Sequence, residues 1–139
     1  MHYVGKAQGD EFKAIGLPCS GKIDIPYMVK AFETGADGVV VVTCREGECQ
    51  NLEGNMRAQR RSQAVDSLLK EVGLGEGRIT AIQLKDGGAE QIREEIKAFC
   101  AKIRNMSQLN AEISKLQNTN TITSNHSTSD TDMSQEKVT

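Results

Sequence analysis

The run Gly38-Val39-Val40-Val41-Val42-Thr43 constrains this chain more than any other feature. Consecutive β-branched residues favour extended backbone. A run without polar alternation suits a strand covered on both faces, as in a parallel sheet. Such a strand needs helices on each side, and helical patterns flank it. Upstream, Asp24 and Pro26 open a helix whose apolar face is Ile25, Met28, Val29 and Phe32, ended by Gly35. Downstream, Asn55 caps a longer helix with Val65, Leu68, Leu69 and Val72 as its stripe, and Gly73 ends it. Two more strand-like segments, Phe12–Leu17 and Arg78–Leu84, extend the alternation. A last helix over Ala89–Arg104 buries Ile92, Ile96, Phe99 and Ile103. The fold expected is α/β: a small open parallel sheet with right-handed helical crossovers, in the three-strand order βαβαβα. Three strands make a thin sheet, so completion by a missing segment or a partner belongs to the expectation.

The pattern stops near Met106. Every Gly, Pro and aromatic residue precedes it, and residues 107–139 are rich in Ser, Thr, Asn and Gln. A segment so poor in apolar surface does not offset its ordering entropy. The division expected is a folded domain over 1–106 and a disordered tail over 107–139, with Leu109, Ile113 and Leu116 at a spacing that extends one short helix. A formal charge of −2 leaves no electrostatic footprint for nucleic acid. No apolar run approaches a membrane span, and Met1-His2-Tyr3-Val4-Gly5-Lys6 lacks the apolar core of a secretory signal. A cytoplasmic protein is the expectation. In that reducing compartment clustered cysteines bind metal or react more often than they form disulfides.

There are four cysteines, and three of them follow strand-like segments. Cys19 comes just after Phe12–Leu17, Cys44 directly follows Thr43, and Cys49 lies in the same loop as Cys44. Strands of a parallel sheet with helical crossovers end on one edge, and ligands bind outside those carboxyl ends. Cys19, Cys44 and Cys49 are therefore expected to meet at a metal or redox site. The helix N-termini at Pro26 and Asn55 would favour thiolate there. An isolated cysteine is more often a small buried hydrophobe, and Cys100 fits that description. It shares a helix face with Ile92, Ile96 and Ile103, about three turns from the strand-end edge, which sets it roughly 15 Å or more from the other thiols. A Cys-x4-Cys spacing is common to plant-type iron–sulfur proteins and zinc loops, and it does not choose between them.

Other features carry less. Gly87-Gly88 lacks the Lys-Ser/Thr of a phosphate loop and reads as turn chemistry. Arg57, Arg60 and Arg61 make a basic helix face, ordinarily just solvated, that lies near the cysteine loop and suits an acidic partner. The two histidines, His2 and His126, sit in terminal segments, and no Ser-His-Asp or Cys-His arrangement is visible.

The string Cys19-Ser20-Gly21-Lys22-Ile23-Asp24, then Lys30-Ala31-Phe32-Glu33-Thr34-Gly35-Ala36-Asp37-Gly38-Val39, resembles the delta subunit family of methyl-viologen-reducing hydrogenases. The resemblance continues through Cys44-x4-Cys49, Gly54-Asn55 and Arg60-Arg61 and covers about Phe12 to Arg104. It implies a small iron–sulfur protein carrying a [2Fe–2S] cluster, with Cys19, Cys44 and Cys49 at the family's cysteine positions. It also implies electron transfer between a hydrogenase or other oxidoreductase and the flavin- and iron–sulfur-containing subunit of heterodisulfide reductase. No independent substrate chemistry is expected of such a protein. Two departures stand out. The family's additional cysteines upstream of the Cys-Ser-Gly motif are not present, which leaves the fourth cluster ligand unidentified. Arg45 and Gln50 occupy positions where the family often has His. A cluster-free docking module of the same kind of complex and a structural zinc domain are the competing readings.

Overall fold

The computed structural model describes residues 2–7 and 10–123, with side chains over 12–118. The chain divides into two units, Met1–Asn105 and Met106–Thr139. The first unit opens with strands β1 (His2–Ala7) and β2 (Asp10–Ile15), paired antiparallel with His2 opposite Ile15 and Ala7 opposite Asp10. A short 3-10 turn, Ser20–Lys22, leads into helix α1 (Ile25–Glu33). Strand β3 (Val39–Thr43), helix α2 (Gly54–Glu71), strand β4 (Ile79–Gln83) and helix α3 (Gly88–Thr123) follow.

The class is the expected one, mixed α/β with a small open parallel sheet. Strands β3 and β4 pair in parallel from Val39 opposite Ile79 to Thr43 opposite Gln83, with α2 as the crossover. The strand expected at Phe12–Leu17 is also present as β2, but its partner differs. It pairs with the residues just upstream of it and does not enter the parallel sheet. A hairpin closes locally, at a lower loop-closure cost than a distant parallel pairing.

One face of the parallel sheet is covered and the other only in part, Val42 on the second face being exposed. Val41 and Ile79 pack with Met28 of α1 and with Ala58, Val65 and Leu69 of α2, with Ile25, Val29 and Phe32 partly buried around them. On the opposite face Thr80 and Ile82 meet Ala98 and Phe99 of α3 across a shallow groove. Gly38 allows α3 to approach: a Cβ there would lie 2.9 Å from both Phe99 and Ile103.

The apolar face of α1 is as expected, and its start is set by Asp24, whose Oδ1 accepts the Tyr27 N–H at 3.1 Å. Such a cap contributes about 1 kcal/mol. Helix α2 differs from expectation at both its start and its stripe. Its N-cap is Glu53, and Asn55 is already inside the first turn and buried. The buried stripe runs through Ala58, Ser62, Val65 and Leu69, whereas Leu68 and Val72 are exposed. The helix does end at Gly73, which takes φ +82° and donates to the Lys70 carbonyl.

Two side-chain hydrogen bonds fix the sheet's amino edge. Buried Arg78 donates from Nε to the Leu74 carbonyl at 2.6 Å and from Nη1 to the Asp37 carbonyl at 3.0 Å. Gly87 and Gly88 form the turn into α3, with the Gly88 N–H bonded to the Lys85 carbonyl. In the second unit Leu109, Ile113 and Leu116 lie on α3 and are exposed; residues beyond 123, His126 included, lie outside the described part.

Candidate metal centre

Cys19 sits just before the 3-10 turn, in extended backbone, and is buried. The turn is closed by the Lys22 N–H on the Cys19 carbonyl at 3.1 Å. Cys49 reaches the same place from another direction. It precedes α2 by a short loop in which the Leu52 N–H bonds the Cys49 carbonyl at 3.0 Å and Leu52 takes φ +57°. Gly54, the first residue of α2, lies between the two thiols. A Cβ on Gly54 would stand 3.0 Å from Cys19 Sγ and 3.2 Å from Cys49 Sγ. Both sulfurs therefore share one small space, and a side chain at Gly54 would occupy it.

The backbone around Cys49 favours charge on sulfur. Its thiol is held below its ordinary value, first by the N–H of Asn55 and then by that of Asn51, with the Gly54 N–H adding to them against an opposing effect of burial. Gly54 and Asn55 belong to the first turn of α2, where amides have no intrahelical acceptor and the helix dipole is positive. This is the microenvironment in which a thiolate becomes a good soft ligand.

Helix α2 also collects the other segments. Its Gly54 backbone touches the Cys19 turn directly: a Cβ on Gly21 would meet the Gly54 Cα at 2.5 Å and its carbonyl oxygen at 3.0 Å. Arg61 donates from Nη1 to the Gly21 carbonyl at 2.9 Å and to the Ile23 carbonyl at 2.7 Å. The solvated basic face expected of Arg57, Arg60 and Arg61 thus loses its third member, which is turned onto the cysteine turn. Asn55 reaches the third segment, donating from Nδ2 to the Arg45 carbonyl at 3.4 Å, one residue beyond Cys44. Arg45 in turn pairs with Asp86 at 3.1 Å and donates to the Lys85 carbonyl at 3.3 Å, tying the Cys44 loop to the loop after β4.

Cys19 and Cys49 are thus brought together, while Cys44 is exposed at the end of β3 and Cys100 is half-buried on α3. Among the described residues no three His, Cys, Asp or Glu are already arranged around one metal position. The Cys19–Cys49 pair nevertheless fits a thiolate-held group on two observations. One is the glycine cradle at Gly54. The other is Ser20 Oγ, buried beside Cys19 and without a hydrogen-bond partner, a state that native structures seldom leave unexplained. Ser20 and the tethering roles of Asn55 and Arg61 have no local sequence signature, since Asn55 reaches across its own loop to Arg45 and the acceptors of Arg61 lie far upstream.

The family model described as methyl-viologen-reducing hydrogenase, delta subunit, matches residues 4–107. In Methanocaldococcus jannaschii the vhu iron-sulfur subunit of the F420-non-reducing hydrogenase is 34% identical over 94 residues, covering 68% of this chain and 70% of that protein. The iron-sulfur subunit of the F420-non-reducing hydrogenase of Archaeoglobus profundus is likewise 34% identical over 94 residues, covering 68% of this chain and 69% of that protein. The ferredoxin:CoB-CoM heterodisulfide reductase of Methanosarcina mazei has one polypeptide that is 27% identical over 103 residues, which are 74% of this chain but 13% of that larger protein.

Proposed function

The chain belongs to the methyl-viologen-reducing hydrogenase delta subunit family, and on that premise we propose that it is the iron–sulfur electron-transfer component of an oxidoreductase complex. Its partners in this reading are a hydrogenase or other oxidoreductase on one side and a flavin-containing, heterodisulfide-reductase-type protein on the other. The proposed group is a [2Fe–2S] cluster held by Cys19 and Cys49, with Cys44 as the third ligand from the end of β3 and the fourth ligand supplied from outside this set. The observation that carries the reading is the convergence of Cys19 Sγ and Cys49 Sγ on Gly54 at the start of α2.

When bound, such a cluster takes up and releases single electrons. The chain's own residues do the rest. Cys49 is kept available as thiolate by the Asn55, Asn51 and Gly54 amides. Buried Cys19 would shield one side of the group from water, and the amide hydrogen bonds at Cys49 would help tune it. No helix among the described residues is long and apolar enough to cross a membrane. The location proposed is the cytoplasm, where thiols stay reduced.

Anaerobic purification with iron and sulfide analysis and absorbance spectroscopy tests the reading. A [2Fe–2S] chromophore that bleaches on reduction supports it. A colourless protein containing zinc would replace it with a structural zinc domain, and a colourless metal-free protein with a docking module.

A further inference from the structure

Ser20–Lys22 contributes no buried residue of its own, so apolar packing holds the cysteine turn only at its two ends, through buried Cys19 and partly buried Ile23. Its contact with α2 is backbone on backbone, Gly21 against Gly54, which provides little attraction by itself. Arg61 supplies what is missing. It lies seven residues after Gly54, two helical turns along the same face, and helical side chains lean toward the N-terminus. That direction carries its guanidinium back over small Ala58, which is fully buried, to the Gly21 and Ile23 carbonyls at 2.9 and 2.7 Å.

We infer that Arg61 is the positioning residue of the thiol site, holding the Cys19 turn against Gly54 so that Cys19 Sγ stays opposite Cys49 Sγ. The inference rests on reading that pair as the metal-holding site, but its consequence is visible without metal. Removal of the guanidinium leaves two carbonyls without their donor, and the turn is free to lift from α2. The distance between the two sulfurs then fluctuates, although the core of Met28, Val41, Val65 and Leu69 is untouched. Neighbouring Arg60 is exposed and serves as the matched control.

The test uses the full, reduced chain carrying Cys44→Ser and Cys100→Ser, so that Cys19 and Cys49 are the remaining thiols. Phenylarsine oxide bridges two close thiols, forming two arsenic–sulfur bonds and releasing water, and the bridged product is counted by mass spectrometry against a monothiol competitor. The parent should form it. Arg61→Gln should lose about tenfold in capture, as expected for a lost charge-assisted hydrogen bond, with the circular dichroism of a folded chain. Arg60→Gln should match the parent. If Arg61→Gln does not fold, Arg61→Lys decides: its amine is one bond shorter, so a folded variant should capture several-fold less. Parent-level capture in a folded Arg61 variant, an equal loss in Arg60→Gln, absence of capture in the parent, or unfolding of both Arg61 variants each overturns the inference. Iron analysis of the unmutated chain separates the two readings. A chain that binds the arsenical but no iron loses the cluster assignment and keeps Arg61 as the positioning residue.

Discussion

The Gly54 Cα lies 2.5 Å from where a Cβ on Gly21 would be, so the cysteine turn and helix α2 meet with no side chain between them. Neither backbone can yield cheaply, because Gly21 is tied through its carbonyl to Arg61 and Gly54 begins a helix. Gly21→Ala should therefore cost about 1–3 kcal/mol, the usual range for forced overpacking. Gly54→Ala should also empty the site, since its methyl would stand against both sulfurs. Gly73→Ala, at φ +82° with open space around it, should cost about 1 kcal/mol through backbone strain alone and leave iron content unchanged. Chemical denaturation and iron per chain, measured on all three, check the set.

The cysteines should separate by role. Cys19→Ser and Cys49→Ser should each abolish bound iron, and Cys44→Ser should do so if the end of β3 supplies the third ligand. Cys100→Ala should keep its iron and lose about 1 kcal/mol or less of stability, because little volume is removed from a half-buried position. Iron and sulfide analysis of the four variants is the measurement.

Cys49 should show its depressed titration in metal-free protein. The Asn55 amide is the foremost cause, so Asn55→Pro, which removes that N–H in a helical first turn where proline is tolerated, should move iodoacetamide alkylation of Cys49 to higher pH. Asn55→Ala keeps the amide and should leave the alkylation profile in place while freeing the Arg45 carbonyl. The stability linked to this thiol has a defined sign. Its folded-state value is lowered, so the contribution is complete above the ordinary thiol range and is lost as pH falls through the folded-state value. Equal alkylation profiles for the proline and parent proteins would remove the amide explanation.

Leu52 pairs a left-handed backbone, φ +57°, with a side chain that is 89% exposed. The side chain gains little from burial and the conformation costs about 1 kcal/mol. Leu52→Asn, which suits that region of backbone space, should raise the melting temperature. A fall would mean that the leucine makes a stabilising contact in the folded chain.

Much of this architecture is written locally. Asp24-Ile25-Pro26 marks a helix start because its cap and its proline act within one turn. Val39–Thr43 is a strand because its composition allows little else. The errors fall where distant chain decides. Phe12–Ile15 has the extended propensity but not the information that His2–Ala7 would claim it. Along α2 the apolar count favours Leu68 and Val72, yet the helix turns Ala58 and Ser62 inward, where they pack beside Met28 of α1. At the site, the meeting of Cys19 and Cys49 is not explained by strand ends, since β2 lies outside the parallel sheet and the two thiols meet instead on Gly54 at the start of α2. Arg61 looks like any surface arginine until its two carbonyl acceptors are located.

The three cysteine segments converge on a single helix: Arg61 for the Cys19 turn, Asn55 for the Cys44 loop, and the amides of Gly54 and Asn55 for Cys49. Sliding α2 by one residue would rotate every one of these tethers by about 100°. The placing of all three cysteine segments is accordingly referred to one helix register, each segment being tied to it by its own contact.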